Sequence, residues 1–503
     1  MTPRVLFLYP TQYRVTGLPA GLGSLIASVR RDGVEARVFD TAFYPPPGEQ
    51  NQNVIRARKG MSKAVANENI LADNTGDMIE DLLAAVRGFK PQIAALSLLE
   101  PTFGTGVALA EAIKRSHPEI FIVAGGVFPT LSPELTIKEP SLDAICLGEG
   151  EEPLRLLVDN IVRRGDPGEV PGMWIKRAGG VVRSEPAPLH DLAALPHPDY
   201  TLFDPRLMLK PMQGRLYRMV NIVTSRGCPF QCTYCAAPRL RSFFKQSGSG
   251  VYFRNLSMQR VIEQLQHQIA VHDPEFIYFS SETFLAMDDA DFDAFVAAYR
   301  EIRLPFWIQT RFETVEKKRL QALKDVGLYW LTLGLEHGNP EFRREILRRN
   351  YSTRQAVEAA EILRDLNMGA SLNNIIGFPG ESREQIMETI AVNKTLHEIH
   401  PSLESNVFIF TPYRGTELFD RCRAMGLVDE DSHLEWSPAA DDTALAYPQE
   451  WKAALRGLAR TFNLYVKLPQ SRYPEIALAE SPTAEGQAMF AALQEELRGT
   501  APA

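Results

Sequence analysis

Three cysteines lie within eight residues near the middle of the chain, and they are its strongest chemical signal. Cys228, Cys232 and Cys235 have the spacing C-x3-C-x2-C and directly follow the apolar stretch 219–224, which predicts a buried strand. Cysteine thiolates are the usual ligands of iron–sulfur clusters. Three thiolates can hold three irons of a [4Fe–4S] cluster, which leaves the fourth iron open to a substrate or a second cofactor. The sequence therefore predicts a cluster in the loop at the C-terminal end of this strand.

Zinc is the alternative metal for the same cysteines. A structural zinc ion usually completes a tetrahedron of four protein ligands. His190 and His197 lie upstream, but nothing close to the loop supplies an obvious fourth ligand. The cluster is therefore the favoured interpretation, and zinc is the second one.

Length, charge and cysteine usage bound the kind of protein that carries this loop. The chain has 503 residues, enough for two or three domains, and its net charge of −8 argues against a general nucleic-acid-binding protein. Five cysteines in such a length do not form a disulfide scaffold, and this pattern suits a reducing cytosol. No stretch reaches the roughly 18 apolar residues that a transmembrane helix needs. We therefore expect a cytoplasmic protein without a signal peptide.

Residues 1–165 alternate short apolar runs with helical patterns, which is typical of parallel α/β sheets. The runs predict a doubly wound, Rossmann-like sheet. Such sheets bind ligands at the carboxyl ends of their strands, where glycine- or proline-marked loops follow here and favour a large flat ligand. No G-x-G-x-x-G opens a helix after the first strand, so a dinucleotide site is not indicated. The predicted strands span 4–9, 36–39, 93–98, 120–124 and 143–147.

The rest of the chain divides into a linker, a second α/β domain and a helical end. Residues 166–218 are a proline-rich linker with a predicted hairpin over 174–183. About six strand–helix units over 219–428 predict a partial (β/α)6 barrel with its site at the C-terminal strand ends. Residues 429–503 are predicted to be mostly helical. The polar segment 45–75 is interpreted as a lid-like insertion into the first domain.

Polar side chains mark the predicted strand ends of the second domain. They converge on the rim that carries the cysteine loop, so together they predict a pocket for a zwitterionic cofactor that bears a ribose. Carboxylates would hold an amine and ribose hydroxyls, whereas arginine would hold a carboxylate. Tyr234, between the second and third cysteines, could stack on an aromatic ring. The rim residues are Ser280, Ser281, Glu282, Gln309, Arg311, Glu336, Asn374 and Ile376.

These motifs resemble those of the radical S-adenosylmethionine (SAM) family. The spaced cysteines, with an aromatic residue before the last one, resemble its signature. The segments 334–338, 376–381 and 410–418 resemble its later motifs. The N-terminal half resembles the cobalamin-binding domain that precedes this barrel in one large subgroup. The resemblance covers about residues 4–425.

The resemblance implies roles for the residues at the strand ends of both domains. The three cysteines would ligate the cluster, and its open iron would bind the amino and carboxylate groups of SAM. Arg311 is the candidate for the SAM carboxylate, Glu336 for the ribose, and the segment near Ile376 for the adenine. The strand end that usually meets the methionyl amine carries Ser280, Ser281 and Glu282, although acidic residues are more usual at its start. The expected cobalamin contacts are Thr11, Gly125, Gly126, Gly148 and Glu149.

The resemblance also implies how cobalamin would be held. The first half of the chain lacks an Asp-x-His-x-x-Gly motif, and no histidine precedes His117. A lower axial histidine ligand is therefore not expected. Cobalamin would bind with its base off the cobalt.

The activity that the resemblance implies most directly is a C-methyltransferase. Reduction of the cluster would release a 5′-deoxyadenosyl radical, and methylcobalamin would pass a methyl group to the resulting substrate radical. A radical SAM oxidative cyclase or ring-rearranging enzyme is the alternative within enzymes, and a non-catalytic cobalamin or iron–sulfur sensor is the alternative from another class. The expected partners are a small-molecule or natural-product substrate and an electron donor such as flavodoxin or ferredoxin. The segment 45–75 and the helical end are where substrate contacts are expected.

Overall fold

The computed structural model is an α/β protein with two seven-stranded sheets and a helical C-terminal end. The predicted fold class, a doubly wound sheet followed by a partial barrel and helices, is confirmed. Most of the predicted insertion over 45–75 and residues 430–441 of the predicted helical end lie outside the described residues. The structure describes residues 2–11, 17–45, 73–429 and 442–500, together with the single positions 56, 59, 61, 63 and 65.

The first sheet combines five parallel strands with an antiparallel hairpin. Its strands are β1 (Arg4–Tyr9), β2 (Glu35–Asp40), β3 (Ile93–Ser97), β4 (Phe121–Gly125), β5 (Ala144–Cys146), β6 (Met173–Arg177) and β7 (Gly180–Arg183). Their order is β2-β1-β3-β4-β5-β6-β7. The strand order reverses between β1 and β3, and this is the switch point at which doubly wound sheets open a crevice.

Helices cover both faces of the first sheet because its side chains alternate between two cores. Val5 and Phe7 pack on the face that α1 and α6 cover, as described next, whereas Leu6 and Leu8 pack on the opposite face. The sheet is therefore buried on both sides. The helices of this half are α1 (Ala20–Arg31), α2 (Met78–Phe89), α3 (Phe103–Ser116), α4 (Val127–Leu131), α5 (Pro133–Lys138) and α6 (Glu151–Arg164).

The hairpin expected in the linker belongs to the first sheet. β6 pairs antiparallel with β5, and Ile145 lies opposite Trp174 in this register. Met173 and Ile175 are buried in the core beneath the sheet. The hairpin therefore covers an edge that the five parallel strands would otherwise leave unpaired. Sequence periodicity identified the hairpin but not the strand that it joins.

The second sheet curves into a partial barrel. Its strands are β8 (Leu209–Met212), β9 (Arg215–Ile222), β12 (Phe276–Phe279), β13 (Phe306–Thr310), β14 (Leu328–Glu336), β15 (Ala370–Ile376) and β16 (Leu403–Ile409), and β10 (Ser225–Arg226) pairs with β11 (Arg254–Asn255) as a small separate ribbon. β9 and β12 to β16 run parallel, in the order β16-β15-β14-β13-β12-β9. β8 is an antiparallel edge strand beside β9.

Helices follow the strands on the outside of the barrel and continue to the C-terminus. Capping boxes begin two of them, formed by Ser352 with Gln355 and by Ser382 with Gln385. One amphipathic C-terminal helix buries Leu455, Leu458 and Phe462 against the last strands. The helices are α7 (Ala237–Gln246), α8 (Met258–His272), α9 (Asp289–Tyr299), α10 (Lys317–Val326), α11 (Pro340–Glu345), α12 (Thr353–Asp365), α13 (Arg383–Ile399), α14 (Glu417–Ala424), α15 (Gln449–Lys467), α16 (Tyr473–Ala479) and α17 (Ala484–Thr500). Within the described residues, no helix has the length and apolar character to cross a membrane.

Asp40, at the C-terminal end of β2, is expected to reduce stability near neutral pH. Burial raises the pKa of its carboxyl to about 7; Ala42 N–H and Arg206 oppose this rise, and Asp204 adds to it. In an unfolded chain the same carboxyl titrates at about 3.9. Between about pH 4 and about pH 7 the unfolded chain has therefore lost this proton while the folded protein keeps it. The free energy of unfolding falls as the pH rises over that window.

We therefore expect Asp40→Asn to raise the melting temperature by about 2–4 °C above pH 7. The gain should shrink as the pH falls towards about 4, where the wild-type carboxyl is protonated in both states. Thermal unfolding followed by circular dichroism across this pH range measures the effect. Asp325→Asn, at an exposed position on α10, serves as the control. A gain of equal size at every pH would contradict the assignment to Asp40 ionisation.

Candidate functional site

The cysteine loop begins just after β9 and contains three thiols that form no disulfide. Cys232 is buried, and Cys228 and Cys235 are half-buried. Burial raises the pKa of the Cys228 thiol and raises the pKa of Cys235 to about 12. A bound metal centre would reverse this tendency, because thiols that ligate a metal are deprotonated.

Two arginines bring positive charge to the Cys232 sulfur. Nη1 of Arg311 lies 3.2 Å from Sγ, and Nη1 of Arg349 lies 3.8 Å from it. Glu313 holds the Arg311 guanidinium at 2.7 Å, and the ring of Phe230 packs beneath it with 3.8 Å between centroid and guanidinium carbon. Hydrogen bonds to the ligating sulfurs are among the features that tune iron–sulfur clusters. The surroundings of Cys232 therefore suit a metal-ligating sulfur.

The spacing of the sulfur atoms bears on the choice between a cluster and a single zinc ion. Across the part of the chain that the structure describes, only Glu149, Glu151 and His190 bring three potential ligand atoms within 4.8 Å of one another. At least one pair of the three cysteine sulfurs therefore lies more than 4.8 Å apart, farther than two ligands of one ion with Zn–S distances of about 2.3 Å would lie. A cluster with several irons accommodates this wider arrangement.

Glu336, at the end of β14, forms one wall beside the cysteines. Its φ is +63°, a left-handed conformation that is uncommon for a non-glycine residue. The conformation coincides with an irregularity in the pairing of β14 with β15. The Glu336 carboxylate lies 3.7 Å from Arg349, which also donates to the Tyr234 hydroxyl over 3.2 Å. Burial raises the pKa of Glu336, and Arg349 opposes the rise. Strained backbone of this kind clusters at functional sites.

The end of β12 carries three polar residues with different surroundings. Ser281 is buried and its hydroxyl pairs with that of Thr224. The amide of Ser280 donates to the carbonyl of Ile222 over 3.0 Å. Glu282 faces open space at the rim and has no hydrogen-bond partner in the described parts of the chain. Nearby protein atoms partly desolvate its carboxyl and raise its pKa. The serines thus anchor the strand end, whereas Glu282 stays open for a ligand.

Two of the sequence motifs meet through a buried pair. Nε2 of His337 lies 2.8 Å from Oε1 of Glu381, and both side chains are fully buried. The second carboxylate oxygen of Glu381 accepts hydrogen bonds from the amides of Gly377 and Phe378 at 2.5 and 2.9 Å. This pair fixes the loops that follow β14 and β15, and so supports the rim without contacting the cysteines.

The inner face of the barrel holds a group that the sequence did not single out, apart from Gln309. The rings of Tyr278 and Trp307 stack with centroids 4.3 Å apart, and Lys210 places Nζ 4.2 Å from the Tyr278 centroid. Gln309 donates to the Tyr278 hydroxyl. Lys210 comes from the edge strand β8, far from the other members in sequence. Only the curvature of the sheet brings it to this group, which is why no local signal identified it.

Asn374 and Ile376 are not brought to the site through their side chains. Asn374 is fully buried and hydrogen-bonds to Asn393 on α13 and to the carbonyls of Leu372 and Asn406. Ile376 packs in the core formed with the C-terminal helices. Alternate residues of a strand face opposite sides of the sheet. The side chains of these two residues lie on the helix side of the sheet. The sequence pattern did not predict which of the two faces they occupy.

A second candidate site lies between the carboxyl rim of the first sheet and the cysteine loop. It is a cavity of about 300 Å³ that penetrates between the sheet and helices α1 and α6. Gly125, Gly126, Gly148 and Glu149 all line it, together with Gly227 of the cysteine loop. Thr11 is buried at the end of β1 and is not among the lining residues. No histidine is found among the described residues that line the cavity.

Glycine is required at two places on the cavity wall. Gly126 has φ +116°, and a Cβ there would lie 2.5 Å from the carbonyl oxygen of Leu98. Gly148 has φ +84°, and a Cβ there would lie 2.8 Å from the Phe244 ring of the second domain. The first domain and α7 thus approach each other closely at this wall. A large flat ligand fits a wall without side chains better than one that carries them.

Two known protein families match separate parts of the chain, one for each of these sites. The B12 binding domain matches residues 13–158, and the Radical SAM superfamily matches residues 222–392. The first match covers the sheet that forms the glycine-lined cavity, and the second covers the cysteine loop and most of the barrel. The chain is therefore a radical SAM enzyme with an N-terminal B12-binding domain.

Individual proteins match this chain over most of its length. The chain is 27% identical over 351 residues to an uncharacterized methyltransferase of Pyrococcus horikoshii. The aligned residues are 69% of this chain and 73% of that protein. It is 24% identical over 357 residues to the anaerobic magnesium-protoporphyrin IX monomethyl ester cyclase of Rubrivivax gelatinosus, over 69% of this chain and 61% of the cyclase. The solved structure of the radical SAM methyltransferase TsrM from Kitasatospora setae superposes with a TM-score of 0.63 at 14% identity, over 99% of this chain and 100% of that chain. This last likeness shows a common fold along the chain.

The predicted cofactors fit the two sites on the chain's own chemistry. Cys228, Cys232 and Cys235 are free thiols in one loop, as the ligands of a [4Fe–4S] cluster must be, and two guanidinium groups lie beside the Cys232 sulfur. Glu282 and Glu336 stand at strand ends around the same loop, where SAM would bind. The glycine-walled cavity lies at the carboxyl rim of the sheet that matches the B12 binding domain, where part of a cobalamin would bind. The cofactors of this class are therefore the cluster, SAM and cobalamin, as the sequence predicted.

Proposed function

We propose that this enzyme is a cobalamin-dependent C-methyltransferase that acts on an unactivated carbon of a small-molecule or natural-product substrate. The observation that carries the proposal is the position of Gly227. It lines the same cavity as Gly125 and Gly148, and the next residue in the chain is Cys228. A cofactor in the cavity would therefore lie beside the cysteine loop. The relatives named as methyltransferases support methyl transfer as the outcome.

The rim residues define how SAM would be oriented in this proposal. Arg311 holds the carboxylate, Glu282 the amine and Glu336 the ribose hydroxyls. Arg349 and Tyr234 orient Glu336 through the contacts described above. When bound, the cluster supplies the electron that cleaves SAM, and cobalamin supplies the methyl group that is transferred. The chain itself binds and orients the cofactors and the substrate, and it excludes water from the site.

The inner-face group of Lys210, Tyr278, Trp307 and Gln309 is proposed as the substrate side of the site. Stacked aromatic rings offer an apolar surface, and Lys210 and Gln309 offer donors beside it. Burial lowers the pKa of Lys210 to about 8, so its charge is only moderately favoured at neutral pH. This composition supports a substrate with an apolar face and at least one acceptor group.

An external electron donor, such as flavodoxin or ferredoxin, belongs to the same proposal. Pro229 and Gln231 are exposed, so the cysteine loop reaches the protein surface between its ligands. A donor that docks there would be close to the cluster. A cytoplasmic location is likewise proposed, and the five free cysteines support it.

Anaerobic reconstitution with iron, sulfide and hydroxocobalamin tests the function. The loaded enzyme would be reduced in the presence of SAM that carries a deuterated methyl group, with a small-molecule extract as the substrate source. We expect 5′-deoxyadenosine and a product that gains one labelled methyl group. Because one relative is a cyclase, loss of hydrogen without gain of carbon is the competing outcome, and it would overturn methyl transfer. An intact, reduced cluster that cleaves no SAM would instead favour a sensor.

A further inference from the structure

Arg226 connects the cysteine loop directly to the cavity of the first domain. It is part of β10 and precedes Gly227 and Cys228. Its guanidinium lies 3.1 Å from the carboxylate of Glu149 and 2.5 Å from that of Glu151. Glu149 lies in the loop after β5 and Glu151 is the first residue of α6, and both line the glycine-walled cavity. One side chain thus bridges the two loops that would hold the two metal cofactors.

This contact is a buried, charge-balanced network. The side chain of Glu151 is only 5% exposed and that of Glu149 only 10%. Burial alone would raise the pKa of Glu151, but Arg226 and Ser24 hold it below its ordinary value. Arg254, which lies opposite Arg226 in the β10–β11 ribbon, supplies the second guanidinium and also pairs with Glu149. Two carboxylates therefore face two guanidinium groups. Removal of either arginine would leave one buried negative charge uncompensated.

A cation site is the competing interpretation of the same glutamates. Oxygen atoms of Glu149 and Glu151 and a ring nitrogen of His190 lie within 4.8 Å of one another. The positions around the carboxylates are, however, already taken by the guanidinium groups of Arg226 and Arg254. The His190 amide also donates to Glu149 over 3.3 Å. The network is therefore satisfied by protein groups.

Arg226 also stands between two cavities. It lines the glycine-walled cavity and a second cavity of about 220 Å³ that lies between α1, the linker and α8. A change in the loop over 148–151 would move the carboxylates to which Arg226 is bound. Gly227 and Cys228 follow it in the chain without an intervening residue, so they would move with it.

We propose that Arg226 is a positioning residue that couples occupancy of the cobalamin cavity to the geometry of the cysteine loop. This inference rests on the proposed binding of cobalamin and of the cluster. Cobalamin orders the loop over 148–151, the ion pairs order Arg226, and Arg226 sets the position of Cys228. Coupling between two binding sites is reciprocal, so a loaded cluster must tighten cobalamin binding by the same factor by which cobalamin stabilises the cluster.

The test compares cobalamin binding with and without the cluster. Equilibrium dialysis under anaerobic conditions measures the affinity of the full chain for hydroxocobalamin, first without iron and then after cluster reconstitution. We expect the loaded protein to bind about 5-fold or more tightly than the iron-free protein, within the usual range of coupling. Conversely, hydroxocobalamin should slow the removal of iron by a chelator. Both readouts are independent of catalytic turnover.

Variants separate coupling from simple loss of structure. In Arg226→Met we expect each cofactor still to bind, but the ratio of the two cobalamin affinities to fall to about 1–2. Arg226→Lys keeps the charge without the forked geometry and should restore only part of the ratio. If Arg226→Met does not fold, Arg226→Met/Glu151→Gln removes one charge of each sign and leaves no additional unpaired carboxylate. Arg414→Met is the matched control, because Arg414 contacts Glu100 across the same two domains but is neither part of the cysteine loop nor paired with Glu149 or Glu151. It should keep the wild-type ratio.

The outcomes distinguish this inference from the proposed function. Equal cobalamin affinities with and without the cluster in the wild-type protein would overturn the coupling while leaving the function intact. A wild-type ratio in the Arg226 variants would overturn the role of Arg226. A loss of coupling in Arg414→Met of the same size would also overturn it, since any contact between the domains would then suffice. Absence of cobalamin binding to the wild-type protein in either state would instead refute the proposed function.

Discussion

Cys232→Ala is expected to abolish both the visible absorption of the iron–sulfur cluster and the reductive cleavage of SAM. Cys232 is the buried member of the three cysteines, and two guanidinium groups lie beside its sulfur. Removal of the thiolate would leave a cluster with two protein ligands and remove the sulfur that Arg311 and Arg349 contact. Loss even of groups that only support a metal ligand costs about 10–100-fold in affinity or activity, so we expect at least about a 100-fold fall in 5′-deoxyadenosine.

Cys422→Ala is the matched control for this variant. Cys422 is also a buried free thiol of the second domain, but it packs in an apolar cluster with Phe342 and Phe410 rather than beside the other cysteines. Its loss should cost a modest amount of stability and leave iron content and SAM cleavage unchanged. The measurements are iron and sulfide content, visible absorption and 5′-deoxyadenosine by chromatography. Retention of a full cluster or of cleavage in Cys232→Ala would contradict the ligand assignment.

Gly125→Leu is expected to block cobalamin binding while sparing the cluster. A Cβ at Gly125 would lie in ordinary contact, 3.5 Å from the Cβ of Cys146, and the backbone there is not in the left-handed region. The rest of a leucine side chain would project into the glycine-walled cavity, which Gly125 lines. If the clash costs as much as overpacking of a core, about 1–3 kcal/mol, cobalamin binding should weaken about 5- to 140-fold. Methyl transfer should fall by a similar factor or more.

The matched control places the same side chain where there is room for it. Gly88 lies on α2, is exposed, and has nothing within 4 Å of a Cβ position. Gly88→Leu should therefore bind hydroxocobalamin like the wild-type protein. Equilibrium dialysis measures the affinity, and iron content confirms that the second domain is intact. Unchanged cobalamin affinity in Gly125→Leu would show that the cavity is not the cobalamin site.

Much of the fold was predictable because the relevant signals are local. Apolar runs of the length of a strand, separated by helical periodicity, mark each β–α unit without knowledge of its neighbours. That regularity was sufficient for the parallel first sheet and for six strand–helix units in the second. The hairpin over 173–183 shows the limit: its two strands are local, but its attachment to β5 depends on an edge that only the folded sheet exposes.

The face of the sheet on which each side chain lies was harder to predict than the presence of the strand. Asn374 and Ile376 were expected at the rim, yet both face the helices, because side chains alternate and a shift of one residue exchanges the two faces. The irregularity at Glu336 likewise depends on how β14 pairs with β15. Neither feature has a signature within its own segment.

The cysteine spacing alone pointed to a metal centre with an open iron, since three thiolates within eight residues leave few other chemical explanations. Its surroundings were a matter of tertiary structure. Arg226 meets Glu151 across 75 residues, and Arg349 reaches Cys232 across 117. The first contact forms only when the two domains pack together, and the second only when the barrel folds, because no local propensity relates residues so far apart. A short motif thus contains the predicted ligands of the cluster, whereas the charged groups around them are brought together only by tertiary packing, within the barrel and between the two domains.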